Sequence, residues 1–260
     1  MNGTRGPLGN NFGPNPYMIT KGNSSYNSLQ VSVQQTARHW NYLLGYTFAK
    51  CMDDGSALTG GVNFSNPALS RGLCHADVQQ DLVVSGTVQL PSTSASGAKW
   101  ANAITRGWSI SDITTFASGL PVTFSETDDR SLAGAGENID LPNYDRQAGP
   151  LFGGGSSQNP RTGKPYFNTN LFTPENLGTF GTSRRRFFHG PGINNTDMAL
   201  LRNMALPKTT QLQFRFEAFN VFNHAQFQTP GGNINDPGTF GIVTAANAPR
   251  IMQVALKYLF

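Results

Sequence analysis

The residues of this 260-residue chain that could carry acid–base, metal or nucleophilic chemistry are few and scattered. Its four histidines, His39, His75, His189 and His224, stand far apart, and none belongs to a His-Glu-x-x-His or similar ligand spacing. They read as surface or channel-lining residues. Asp53-Asp54 and Asp128-Asp129 are acidic pairs in loops, without the further oxygen ligands that a Ca²⁺ loop needs. Gly153-Gly154-Gly155 and Thr162-Gly163-Lys164-Pro165 do not complete a phosphate loop, because no Ser or Thr follows the lysine. No Gly-x-Ser-x-Gly element is present and no cysteine has a plausible base, so no catalytic residue, cofactor or metal is assigned. Arg184-Arg185-Arg186 followed by Phe187-Phe188 is the one basic, aromatic cluster. With a net charge of +4 and a pI near 9.2 it raises the question of nucleic acid. No recognition helix or RNA-binding motif accompanies it, so the arginines read as a solvated or phosphate-facing loop cluster and no nucleic-acid partner is expected.

With no reaction to position, the elements themselves become the informative part. Gly (29) and Pro (16) make up about 17% of the chain against an average near 12%, which favours turns and strands over long helices. Charged residues are only 13%, yet the mean hydropathy is -0.33, so Asn, Gln, Ser, Thr and Gly supply the polarity. A polar, uncharged surface suits a water-filled lumen and exposed loops. No run approaches the length of a transmembrane helix, and residues 1–10 lack the apolar centre of a signal peptide.

Alternation is strongest in residues 250–260. Met252, Val254, Leu256, Tyr258 and Phe260 share one parity, and Gln253, Ala255 and Lys257 the other. The segment has about the length that a tilted strand needs to cross a bilayer. Residues 40–50 repeat the pattern, with Trp40, Tyr42, Leu44, Tyr46 and Phe48 on one face and aromatics at both ends of it, as a membrane girdle requires. Strands are also expected over 25–36, 77–90, 104–118, 193–206 and 209–223. The last places Leu212, Phe214, Phe216, Ala218 and Phe222 opposite Gln213, Arg215, Glu217 and Asn223. In 104–118, Asp112 shares parity with Trp108, so either a bulge shifts the register or Trp108 points inward. Residues 1–24 read as a loop or truncated leader, and 119–192 as one very long loop with at most a helical turn or a small hairpin.

The connections between these strands, about 3, 26, 13, 74, 2 and 26 residues, alternate short and long, as in outer-membrane barrels with short periplasmic turns and long outer loops. That order puts 51–76, 119–192 and 224–249 on one rim and the turns near 38, 94 and 207 on the other. Cys51 and Cys74 bracket one outer loop in an oxidising setting, where a disulfide between them is expected. Arg215, Glu217 and Lys257 belong on the lumen side, because a charge on the lipid side costs several kcal/mol at the midplane. Trp40, Tyr42, Phe48, Tyr258 and Phe260 are the expected girdle and assembly-signal residues.

Several stretches resemble the carboxy-terminal barrel of TonB-dependent outer-membrane receptors, above all the Oar-like group with a carboxypeptidase-regulatory-like domain. They are Ser25-Tyr26-Asn27-Ser28-Leu29-Gln30, Gly45-Tyr46-Thr47-Phe48-Ala49-Lys50 with Asp53-Asp54, and Ser118-Gly119-Leu120-Pro121. The most specific is Phe214-Arg215-Phe216-Glu217-Ala218-Phe219-Asn220-Val221-Phe222-Asn223-His224, followed by Phe240-Gly241 and the terminal strand. The resemblance implies an all-β, antiparallel, up-and-down barrel in the cell outer membrane, importing a bulky ligand with energy from TonB acting through a plug. Only about seven strands and no plug are readable here, so the chain looks like the last third of such a receptor, as a gene fragment or interrupted reading frame would give. Its partners would be outer-membrane lipid, the missing amino-terminal barrel strands and plug, and the barrel-assembly machinery. The rival is a secreted β-sandwich adhesion or carbohydrate-binding module, which would place 40–50 and 77–90 in two face-packed sheets around a dry core.

Overall fold

The alternating segments form one sheet. The computed structural model of the protein describes residues 22–56, 67–90, 106–132, 140–207 and 210–260. Its strands are β1 (Ser24–Thr36), β2 (Trp40–Asp53), β3 (Gly72–Leu73), β4 (Gln80–Gln89), β5 (Trp108–Ala117), β6 (Asn143–Tyr144), β7 (Phe172–Thr173), β8 (Ile193–Ala205), β9 (Gln211–Phe219) and β10 (Ile251–Leu259). The seven long ones pair antiparallel in chain order, β1-β2-β4-β5-β8-β9-β10, and two-residue β3 adds to β2. The fold is all-β. Among the described residues helical geometry is limited to short 3-10 turns, and no helix is long and apolar enough to cross a membrane. Because β2 lies directly beside β4, with Trp40 opposite Val88 and Phe48 opposite Gln80, the two-sheet sandwich is not this fold.

Residues directly opposite in an antiparallel pair project from the same side, so the register assigns the two faces. Leu29, Val31 and Val33 of β1 continue through the Trp40–Phe48 parity of β2, Leu82, Val84 and Val88 of β4, Phe214 and Phe216 of β9, and Met252, Val254, Leu256 and Tyr258 of β10. The other face carries Gln30, Ser32, Gln34, Asn41, Ser85, Thr87, Ser111, Asn203, Gln213, Arg215, Glu217 and Lys257. Both β1 and β10 are exposed along their whole length. In water the apolar side would forgo about 1.5–3 kcal/mol for each large residue left unburied, so this sheet is built for an apolar solvent.

Strand β5 resolves the register question differently from either expectation. Its pairing with β4 and β8 runs without a bulge, and Trp108 stays on the apolar face with Ile110 and Phe116. Asp112 shares that face. It stands opposite Gly86, where an added Cβ would lie 3.4 Å from Asp112 Oδ1, so the glycine leaves room for the carboxylate. At its far end β9 stops at Phe219 rather than 223. Asn220 and Asn223 both take the left-handed conformation (φ 52°), which asparagine tolerates through local hydrogen bonding. This turns Phe222 out of the sheet, 75% exposed.

The short connections lie at one end. Ala37 N–H donates to the Trp40 carbonyl across the first turn (2.8 Å), and Leu206 N–H to the Thr210 carbonyl across another (2.8 Å). The turn expected near 94 falls outside the described residues. The long excursions 54–79, 118–192 and 220–250 all leave from the opposite end. The first joins the others through Leu73 N–H, which donates to the Arg186 carbonyl (3.0 Å), and the last two share a buried cluster of Val122, Phe124, Tyr166, Phe167, Leu171, Phe172, Phe188 and Phe240. Phe124 is its centre, stacked on Phe172 (4.6 Å) and Phe187 (5.4 Å) and meeting Phe240 edge-on (6.4 Å). Gly232 permits the contact between excursions, since a Cβ there would stand 1.9 Å from the Thr123 carbonyl oxygen. Among the described residues of 118–192 the regular structure is the short antiparallel pair β6–β7 and two 3-10 turns, and the aromatic packing holds them together.

Candidate functional site

Two regions concentrate polar side chains: the polar face of the sheet and the cap made by the long excursions. On the sheet, Arg215 donates to Glu217, which also accepts from Gln253 across the β9–β10 pair. Lys257 sits on the same face opposite Gln213, whose amide donates to Asn203 (2.9 Å). Further along, Thr87 and Ser111 hydroxyls are hydrogen-bonded at 2.9 Å. Gln34, Asn41, Ser85, Thr87 and Ser111, together with Leu43 and Ile113, border a concavity of about 470 Å³ that can hold water or small solutes.

The apolar face carries aromatics at both ends. Trp40 stacks on Tyr42 (5.4 Å), and Trp108 meets Phe214 edge-on (6.0 Å) with the Arg202 guanidinium over its ring (5.3 Å). An arginine on this face near the short-turn rim can lay its stem along apolar surface and carry its charge to the interface. Tyr258 and Phe260 stack at 6.3 Å at the same rim, and Phe48 lies toward the other.

In the cap, the triple arginine takes a different role from the solvated cluster expected. Arg184 is exposed, but Arg185 is 2% exposed and Arg186 is equally buried. Arg185 donates from Nε to the Ser70 carbonyl (2.9 Å), from one terminal nitrogen to the Ser56 carbonyl (3.1 Å), and from the other to Asp53 Oδ1 (2.6 Å). Arg186 Nε donates to Thr123 Oγ1 (2.7 Å), and burial together with the charge of Arg185 lowers its pKa. The two side chains therefore join the 54–79 and 118–192 excursions to the end of β2. A disulfide links Cys51 and Cys74 beside them, with Cα atoms 5.3 Å apart. Asp77 accepts from Cys51 N–H (2.5 Å) and pairs with His189 Nε2 (2.8 Å), while Asp54 pairs with Arg71 (3.1 Å). The acidic pair at 53–54 thus serves two arginines. His39, His75 and His224 are exposed. Sequence reasoning missed the burial of Arg185 and Arg186, since their partners lie more than 60 residues away.

A second polar group lies between residues 125–132 and the exit of β7. Glu126 and Glu175 are both 0% exposed, and Asp140 is buried beside them, bridged to Glu126 through the backbone. Burial first, then hydrogen bonding to Glu126 and the charges of Glu126 and Asp140, push the Glu175 carboxyl up to about 8. Among the described residues no three His, Cys, Asp or Glu side chains are grouped as metal ligands.

No curated protein and no solved structure matches this sequence. The sequence model of the outer membrane beta barrel domain matches residues 2–253, nearly the whole chain. That match agrees with a two-faced antiparallel sheet whose polar side would line a lumen and whose apolar side would meet lipid. This chain belongs to the outer membrane beta barrel domain family.

Proposed function

We propose that the chain is a wall segment of a TonB-dependent outer-membrane receptor, non-catalytic, whose complete form imports a bulky ligand. The observation that carries the reading is the open sheet. β1 and β10 are its two ends, and both run from the capped rim toward the short-turn rim, so pairing them directly would put a parallel pair into an antiparallel barrel. In hydrocarbon each unpaired backbone group costs several kcal/mol. The edges are completed by strands from outside these seven, and their number must be odd for alternation to continue around the ring. One added strand would close a barrel filled by its own side chains, whereas many would leave room for a plug; the residue pattern from Phe214 to His224, which resembles TonB-dependent receptors, supports the wide form. Lipid surrounds the apolar face, the assembly machinery inserts the sheet, and TonB acts only through a plug.

The test is retention of the full natural protein, solubilised from outer membranes, on an immobilised periplasmic domain of TonB. Retention that is lost when the plug's amino-terminal segment is deleted supports the receptor reading. Absence of retention, with the barrel folded and heat-modifiable, rejects it while leaving the barrel in place.

A further inference from the structure

Glu126 and Glu175 are out of reach of solvent, and none of their four carboxylate oxygens accepts a well-formed hydrogen bond; the groups that approach the Glu175 carboxyl are its own backbone N–H and the Glu126 carboxyl. The charged neighbours cannot supply one. Arg130 Nε lies 3.9 Å from Glu126 Oε1 and already donates to the Glu175 carbonyl at 2.7 Å, with its side chain 38% exposed. Asp140, the third acid, is satisfied by Ser131, which donates to it from N–H (2.8 Å) and Oγ (2.7 Å). With every acid ionised, three negative charges would face one partly solvated arginine. Two carboxyl groups side by side without a donor relieve both problems when one carries a proton and donates it to the other.

We propose that Glu126 and Glu175 share one proton and so form an acid-tightened latch that holds the 121–132 segment against the exit of β7 in the outer cap. The location gives the latch a consequence. Arg130 Nε to the Glu175 carbonyl and Gly178 N–H to the Arg130 carbonyl (2.7 Å) are the neighbouring ties between the same two segments, so the carboxyl pair sits on the seam of the cap. When the proton leaves, two buried carboxylates repel each other across that seam and the segments separate to let water in. The raised pKa of Glu175 fixes the sign: the closed cap holds a proton that the opened cap releases, so closure is strongest in acid and weakens as pH rises toward about 8. The inference rests on the cap lying outside the membrane and is independent of which ligand or energy source the receptor uses.

The experiment is hydrogen–deuterium exchange of the full natural protein in outer-membrane fragments, corrected for intrinsic exchange, read on peptides from 121–132 and 172–182. Opening rises by up to about tenfold per pH unit from about 4.5 to about 8 and is flat above, while peptides from β8 and β9 do not respond. Glu175→Gln keeps the shape and gives Glu126 a permanent donor, so its cap opens without pH dependence in that window. Infrared spectroscopy of the unsubstituted protein shows a buried carboxylic-acid carbonyl band that disappears near pH 8, which decides the matter if the variant does not assemble. An identical pH slope in Glu175→Gln, or no such infrared band in neutral solution, overturns the latch. Cap opening on addition of a chelator at neutral pH also overturns it, by showing that a cation holds the pair.

Discussion

Replacing Arg185 by alanine should loosen the outer cap while leaving the sheet paired. The guanidinium is 2% exposed and satisfies the carbonyls of Ser70 and Ser56 and the carboxylate of Asp53, itself buried. Alanine removes all of these donors at once and leaves the buried Asp53 carboxylate without its counter-charge, held by Ser56 N–H (3.0 Å). Breaking a buried ion pair from one side costs about 3–5 kcal/mol. At about 1.4 kcal/mol per factor of ten, the opening equilibrium of the cap should rise by roughly two to four orders of magnitude. Arg185→Lys keeps the charge but offers fewer directed donors, so its effect should be smaller. The assay is exchange or limited proteolysis of 54–79 and 182–190 in outer-membrane fragments, with β8 and β9 as internal reference. Protection in Arg185→Ala within a factor of about two of the natural protein would refute the reasoning, because each factor of ten is worth about 1.4 kcal/mol.

Two other outcomes follow from the same cap. The disulfide between Cys51 and Cys74 has a sequence separation of 23, so reducing it should lower the stability of the 54–79 excursion by about 3 kcal/mol, seen as new protease cleavage inside it after thiol treatment. Phe124→Ala should cost about 3–5 kcal/mol and increase exchange in both 118–192 and 220–250, because Phe124 touches Phe240 as well as Phe172; an effect confined to 118–192 would contradict the shared core.

The sheet was legible because a strand's side-chain period is local: Val254 and Leu256 against Gln253 and Ala255, or Tyr46 and Phe48 against Gly45 and Thr47, can be read without knowing any partner. Alternating short and long connections then dictated neighbours and rims. Where one residue broke the period, as at Asp112, local reading chose between a bulge and inversion, whereas the structure accommodates the carboxylate beside Gly86, a residue on a different strand. The end of β9 was overrun because Phe219 and Phe222 prolong the apolar run, while the two asparagines that end it act through backbone conformation. The cap was illegible for a different reason. Phe124, Phe172, Phe188 and Phe240 have no common period and meet only when the 118–192 and 220–250 excursions fold back on one another. The arginines were misread because charge in a glycine-rich loop ordinarily means exposure, and burial of Arg185 depends on Asp53 and two carbonyls supplied from more than 100 residues away.

The central claim is that the two faces of this sheet meet two different solvents, and β10 tests it most directly. Cys51 and Cys74 are the only cysteines of these 260 residues and are bonded to each other, so single cysteines introduced along 251–259, with any free cysteine elsewhere in the natural protein replaced by serine, report on their own positions. Probes at positions 252, 254, 256 and 258 should be quenched by a lipid-phase quencher and refuse a membrane-impermeant thiol reagent. Those at 253, 255 and 257 should do the reverse through the lumen, giving a period of two along the strand. Equal water access at every position, or protection of both parities from lipid and water alike, would contradict the account.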